Sequence, residues 1–243
     1  MRTAISGLDP RGDATDVPSR RASGTVNRAG LLPVAQVLAR AFQDNPLNVA
    51  VIRARSRRRY LSNLAGMRAL LDVSVGRALL LQALTAERGA EAREPLGVLI
   101  GARPYGYPLP GPSFLGTLRC LIGQGPRAMG RWAEVYRALE VEHPLEPHWY
   151  LAVLGIAPEH QRRGNGAALL AAFLETVDAD GGPSYLETDR AENIAFYAQG
   201  GYEVVREVTV LGVPVWCMWR PAREESERGA GPDGGSGDAK GRR

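Results

Sequence analysis

The sequence predicts an α/β domain whose sheet contains a parallel crossover. Three observations carry this. Trp149–Ile156 (WYLAVLGI) is a short, continuously apolar run, the pattern of a buried strand. Gly166–Val177 (GAALLAAFLETV) is rich in Ala and Leu and stops at Gly181-Gly182, as a packed helix does. From residue 149 onward the order is strand, loop, helix, strand, helix, hairpin, which requires a crossover to a parallel neighbour.

The elements follow in chain order. Leu31–Phe42 (LLPVAQVLARAF) reads as an amphipathic helix with Leu32, Val37 and Leu38 among its apolar positions and Pro33 in its first turn. Arg58–Val73 is a second helix. Arg77–Leu84 and Pro95–Ala102 read as strands joined by a polar turn, and the Pro/Gly-rich loop 103–112 follows. Phe114–Leu139 is helical in two pieces, broken near Gly123–Gly125. After the strand at 149–156, Pro158 marks its exit. Ser184–Thr188 is the next strand, and Ala191–Gln199 is a helix ended by Gly200-Gly201. Tyr202–Val210 and Val213–Trp219 form a terminal hairpin around Leu211-Gly212.

The composition fits one such domain. Of 243 residues, 44% are apolar and 23% charged, enough to bury a core. Residues 29–220 are read as a single domain. Residues 1–28 and 221–243 are polar, lack periodicity and are expected to be disordered tails. The formal net charge of +4 divides as +2 on 1–28, zero on 221–243 and +2 on the domain. No strong basic field is left on the domain, so no nucleic-acid partner is expected. Residues 1–20 lack the apolar stretch of a signal peptide, and the longest Leu-rich run, Ala78–Leu84, is too short to span a bilayer. A cytoplasmic protein with no membrane partner is the expectation. Two cysteines, Cys120 and Cys217, and three histidines show no metal-ligand spacing.

The segment that carries chemistry is Gln161-Arg162-Arg163-Gly164-Asn165-Gly166. It lies between the buried strand and the Ala/Leu helix. Its glycines let the backbone turn sharply, and a helix N-terminus flanked by two Arg favours an anion. A Walker loop requires GxxxxGK[ST], but no Lys precedes Lys240. A dinucleotide fingerprint requires GxGxxG, but Leu169 holds the third Gly position. A pyrophosphate loop of the RxxGxG type, written QxxGxG here, fits. The alternative is a Gly-rich helix start that binds nothing.

The segment HWYLAVLGIAPEHQRRGNG, the NIAFY helix (193–197) and the GGYE entry to the hairpin together resemble the GNAT acetyltransferase superfamily. YLET (185–188), NIAFY and VWCMWR (215–220) bring puromycin N-acetyltransferase and its relatives nearest. The resemblance covers roughly residues 143–220. It implies a mixed, mostly antiparallel central sheet with a splayed parallel strand pair and helices on both faces. It further implies transfer of an acetyl group from acetyl-CoA, as co-substrate and without a metal, to a small-molecule primary amine. Protein N-terminal or lysine acylation and a non-catalytic acyl-CoA sensor are the alternatives, and the chain is expected to be a monomer or homodimer.

The resemblance also distributes roles. Leu154, Gly155 and Ile156 would face the pantetheine arm, with the Ile156 or Leu154 amide as an oxyanion donor. Gln161, Arg162, Arg163, Gly164, Asn165, Gly166 and Ala167 would hold the pyrophosphate. Asn193 would hydrogen-bond the coenzyme arm. Tyr197 stands at the general-acid position, the alternative being a packed core aromatic. Glu187 is the candidate base, the alternative being a carboxylate paired with an Arg. His148 comes next as a base but is expected to be a surface or capping residue, and His143 and His160 are expected to be solvated. Arg57-Arg58-Arg59 reads as a solvated helix face. Tyr105, Tyr107 and Phe114 flank a loop that either shapes an acceptor site or is ordinary surface.

Overall fold

A computed structural model describes residues 30–85 and 94–223. The expected tails lie outside the described residues except at 221–223, as does most of the polar turn between the first two strands. The elements are α1 (Leu31–Ala41), α2 (Pro46–Val51), α3 (Ser56–Ser74), β1 (Leu79–Leu84), β2 (Pro95–Ala102), α4 (Phe114–Gln124) and α5 (Pro126–Glu142). They continue as β3 (Trp149–Ile156), a 3-10 turn (Pro158–His160), α6 (Asn165–Asp180), β4 (Ser184–Thr188), α7 (Glu192–Ala198), β5 (Glu203–Val210) and β6 (Val213–Arg220). One six-stranded sheet has the order β1-β2-β3-β4-β6-β5. Every neighbouring pair is antiparallel except β3 and β4, which α6 connects as a parallel crossover. This is the mixed sheet that the sequence implies.

Two layers of helix cover the sheet. On one face α1 and α3 set Leu31, Val34, Leu38 and Leu71 against Leu80, Val98, Ile100 and Val153. In α1 the buried stripe is Leu31, Val34, Ala35 and Leu38, an i, i+3, i+4, i+7 pattern. Leu32, read as an apolar-face position, lies about 100° around the helix from Leu31 and is 42% exposed. On the other face α6 inserts Leu169, Leu170, Phe173 and Val177 among Leu99, Trp149, Leu151 and Leu186. Each fully buried side chain of this kind contributes about 1.5–3 kcal/mol. A third cluster joins α2, α5 and the β5–β6 hairpin through Val51, Ile52, Val135, Val210 and Val215.

Most boundaries fall within two residues of the sequence reading. Two departures matter. The second helix piece runs on to Glu142, which brings His143 to its C-cap. Helix α2 was not foreseen, because six residues are too few to show a period; the Asn-Pro step at 45–46, with Pro in the first helical turn, was its sequence signal. Asp189, just after β4, accepts hydrogen bonds from Leu47 N (2.8 Å) and Asn45 Nδ2 (3.2 Å), which pins α2 over the end of that strand.

Candidate active site

The site begins where β3 and β4 separate. They pair only at Trp149↔Ser184 and Tyr150↔Tyr185. From Leu151 onward β3 has β2 on one side and no strand on the other. The Ala157 amide donates to Leu96 O (2.8 Å), so in the alternating antiparallel ladder Gly155 also faces β2. Leu154 and Ile156 therefore turn their N–H and C=O groups toward the gap. The Ile156 carbonyl already accepts from Gln161 Nε2 at 3.0 Å. Gly155 leaves the set of residues whose backbone faces the gap. Its missing side chain serves packing instead, since a Cβ there would come within 2.7 Å of Leu38 and 2.8 Å of Phe42.

The loop after β3 reaches the N-terminus of α6. Arg162 (φ 56°) and Gly164 (φ 80°) both take left-handed backbone, turning the chain sharply into the helix. The first intrahelical bond runs from Ala168 N to Gly164 O, and no side chain caps this end. The amides of Asn165, Gly166 and Ala167 thus have no intrahelical acceptor. The first turn holds no acidic residue, and Arg162 and Arg163 are exposed beside it. Asn165 Nδ2 donates to His160 O (2.9 Å), and the Arg40–Glu159 ion pair (2.7 Å) ties the preceding turn to α1. A Cβ on Gly166 would point toward Phe196 (3.6 Å) and Ile156 (3.7 Å), ordinary contact distances. Space within the protein therefore does not require glycine there. The three amides without an intrahelical acceptor and the two exposed Arg beside them are the donor set that a pyrophosphate needs, so the cradle fits one.

A closed polar cluster lies on the α5 side of the sheet, at the apex of the gap. Tyr185 and Glu187 alternate with Leu186, which faces α6, so both point the other way, as Tyr150 does on β3. Tyr150 O–H donates to Glu187 Oε2 at 2.8 Å. His143 Nδ1 is 3.6 Å from Glu187 Oε1, with the two side chains only 5% and 8% exposed. His143 Nε2 lies 3.0 Å from His148 Nε2, and His148 Nδ1 lies 2.6 Å from Glu146 O. Tyr107 stacks on the His143 ring, with centroids 3.3 Å apart, and closes the cluster from the 103–112 loop. Burial, followed by the Glu187 charge, pushes Tyr107 up to about 12 and Tyr150 and Tyr185 well above the ordinary phenol value. All three phenols stay protonated, and that of Tyr150 donates to the carboxylate. Burial lowers His148.

Tyr197 occupies the opposite face. It is 6% exposed on α7, packed with Leu169, Leu186 and Tyr202, and burial raises its phenol strongly. It too remains protonated across the working pH range. Asn193 Nδ2 donates to Thr188 Oγ1 at 3.1 Å, fastening α7 to the end of β4. Tyr197 thus lies on the α6 face of the sheet and Glu187 with His143 on the other.

Several sequence expectations need correction. His143 and His148 are buried, because the end of α5 and the loop before β3 fold onto the sheet rather than run over its surface. Glu187 pairs with a tyrosine and a histidine, and among the described residues no Arg is its partner. Arg59 is not a solvated face, since it bonds Gln43 O, Ala54 O and Asp44 and closes the α1–α3 connection. Tyr107 belongs to the site, whereas Tyr105 and Phe114 are more than 80% exposed. The sequence signal for the cluster was present: residues 143–150 hold four aromatic or histidine positions, 143, 148, 149 and 150, and all but Trp149 enter the cluster. Among the described residues no three His, Cys, Asp or Glu side chains are grouped to hold a metal, and no helix is long and apolar enough to cross a membrane. A cavity of about 360 Å³ opens where α3 meets the α4–α5 junction, just past α2. Arg53, Arg58, Arg127 and Arg131 line it, and none has a carboxylate partner among the described residues.

Residues 113–202 match the acetyltransferase (GNAT) family. The structure described as histone acetyltransferase HPA2 and related acetyltransferase, from Corynebacterium glutamicum ATCC 13032, superposes with a TM-score of 0.56. It is 19% identical, over 83% of this chain and 96% of that one. Arylalkylamine N-acetyltransferase 2 from Aedes aegypti gives a TM-score of 0.54 at 13% identity, over 82% and 97% of the two chains. At such identities the likeness is one of fold. Residues 113–202 are thus similar to the acetyltransferase (GNAT) family, and the chain has the fold of these acetyltransferase structures.

Proposed function

We propose that the protein is an N-acetyltransferase that moves an acetyl group from acetyl-CoA to a primary amine of a small molecule. One observation carries this reading: β3 and β4 part just where the uncapped N-terminus of α6 offers three unpaired amides. Asn165, Gly166, Ala167, Arg162 and Arg163 would hold the pyrophosphate, and the Leu154 and Ile156 backbones would hold the pantetheine arm. Acetyl-CoA would supply the activated thioester. The Leu154 or Ile156 amide, facing the gap, is placed to donate to the acyl oxygen. Tyr197, kept protonated by burial, gives its phenolic proton to the departing sulfur from the α6 face. The acceptor amine enters from the opposite face, where Glu187 and His143 lie.

A small-molecule acceptor is favoured over a basic peptide. The resemblance of YLET, NIAFY and VWCMWR to puromycin N-acetyltransferase points to antibiotic or metabolite amines. A thiol-release screen with acetyl-CoA tests this. Turnover with small amines and none with Lys-rich peptides is expected; the reverse pattern refutes the acceptor class.

A further inference from the structure

The chain of hydrogen bonds through the buried cluster fixes where its protons sit. Glu146 O is a carbonyl and can only accept, so His148 Nδ1 carries a hydrogen and donates to it. When His148 is neutral, its Nε2 is then a bare acceptor. The 3.0 Å contact between the two Nε2 atoms requires one donor, so His143 Nε2 carries the hydrogen. When His143 is neutral, its Nδ1 is therefore a lone pair. That lone pair is buried, has no hydrogen-bond partner and lies 3.6 Å from a carboxylate oxygen. Two acceptors facing one another in a closed site are unfavourable unless a proton or an N–H lies between them. Tyr185 Oη, also fully buried, has no partner either.

We infer that His143 Nδ1, rather than Glu187, is the atom that takes the proton from the attacking amine, with His148 as the positioning residue that holds His143 in the receptive tautomer. This rests on the acetyltransferase reading above. In the transfer the amine N–C bond forms and the C–S bond breaks. One amine proton goes to His143 Nδ1 once the amine has displaced Tyr107 from over the buried His143 ring, and the sulfur takes the Tyr197 proton. Release of the first proton to water and re-protonation of Tyr197 restore the enzyme. Glu187, fixed by the Tyr150 hydroxyl, offsets the imidazolium charge. The groups facing His143 are Tyr107 from the loop after β2, Tyr150 and His148 from β3 and its approach, and Tyr185 and Glu187 from β4. Cys217 of β6 lies behind Glu187, and Glu140 and Glu142 lie on the helix of origin.

Two measurements test this, and they separate it from the parent reading. Long-range ¹H–¹⁵N spectra of histidine-labelled, unliganded protein report tautomers without any turnover, and with three histidines the signals are assignable from single His→Gln variants. Nδ1–H on neutral His148 and Nε2–H on neutral His143 are expected; Nδ1–H on neutral His143 overturns the inference. In His148→Phe, His143 should lose its single tautomer and kcat should fall with KM unchanged. A fall in melting temperature alone, with the His143 tautomer intact, refutes the positioning role. In kinetics, His143→Gln should lower kcat/KM by about 10²-fold or more and abolish the acid limb of its pH profile. An active wild type with that limb unchanged in His143→Gln overturns the inference while leaving the acetyltransferase reading intact.

Discussion

Replacing Gly166 with Ala separates what this position does for the fold from what it does for a ligand. The new methyl would sit 3.6 Å from the Phe196 ring and 3.7 Å from Ile156, both ordinary contacts. Gly166 is the second residue of α6 and is not among the positive-φ glycines. Gly→Ala in a helix is worth about 0.5–1 kcal/mol, less so in a first turn. Stability should therefore stay level or rise by about 0.5 kcal/mol, a melting-temperature gain of ~1–2 °C for a domain of this size. On the proposed cradle, a phosphate accepting from the Gly166 amide would have to accommodate the same methyl. Losing one hydrogen bond to a charged group costs about 1.5–3 kcal/mol, or roughly 10- to 100-fold in affinity. Calorimetric titration with acetyl-CoA, beside a thermal melt, reads both quantities. An unchanged Kd refutes the cradle. A large drop in melting temperature instead shows that the position is closed by the protein itself.

Gly155→Ala should behave in the opposite way: its Cβ would meet Leu38 and Phe42 below 3 Å, so a loss of about 1–3 kcal/mol in denaturant unfolding is expected. Tyr197→Phe should leave folding and acetyl-CoA affinity intact and lower kcat by about 10²–10⁴-fold. Because burial raises the Tyr197 phenol, wild-type activity should not fall on its account through pH 10, and near-normal turnover in the Phe variant would remove Tyr197 as the acid. Asp189 is raised chiefly by burial, so its contribution to stability is greatest below its unfolded value and declines as pH rises through the raised one. The stability of wild type relative to Asp189→Asn should accordingly decrease with rising pH over that range; a difference that grows with pH contradicts this sign.

How much was legible beforehand depends on the range over which each signal acts. Strand β3 and helix α6 announce themselves because burial on both faces leaves a continuous apolar run, and because Gly181 must end the helix in a left-handed turn. The QRRGNG segment was readable for the same local reason: Gly164 at φ 80° and an uncapped helix start are properties of a few consecutive residues. Helix α2 escaped because a six-residue element carries no period and is held by Asp189, more than 140 residues away. Glu187 was visible only as a carboxylate on a strand. That Tyr150, 37 residues away, donates to it, and that His143 lies beside it, follows from strand pairing and from where α5 ends. Local sequence thus determined the strands, the helices and the anion cradle, since periodicity and backbone conformation are short-range. What only the tertiary structure decided is the surroundings of the histidine pair: the contacts among residues 143, 146 and 148 span five positions at most, whereas the Glu187 carboxylate and the Tyr150 hydroxyl that meet there lie on separate strands, and no local pattern encodes which strands become neighbours.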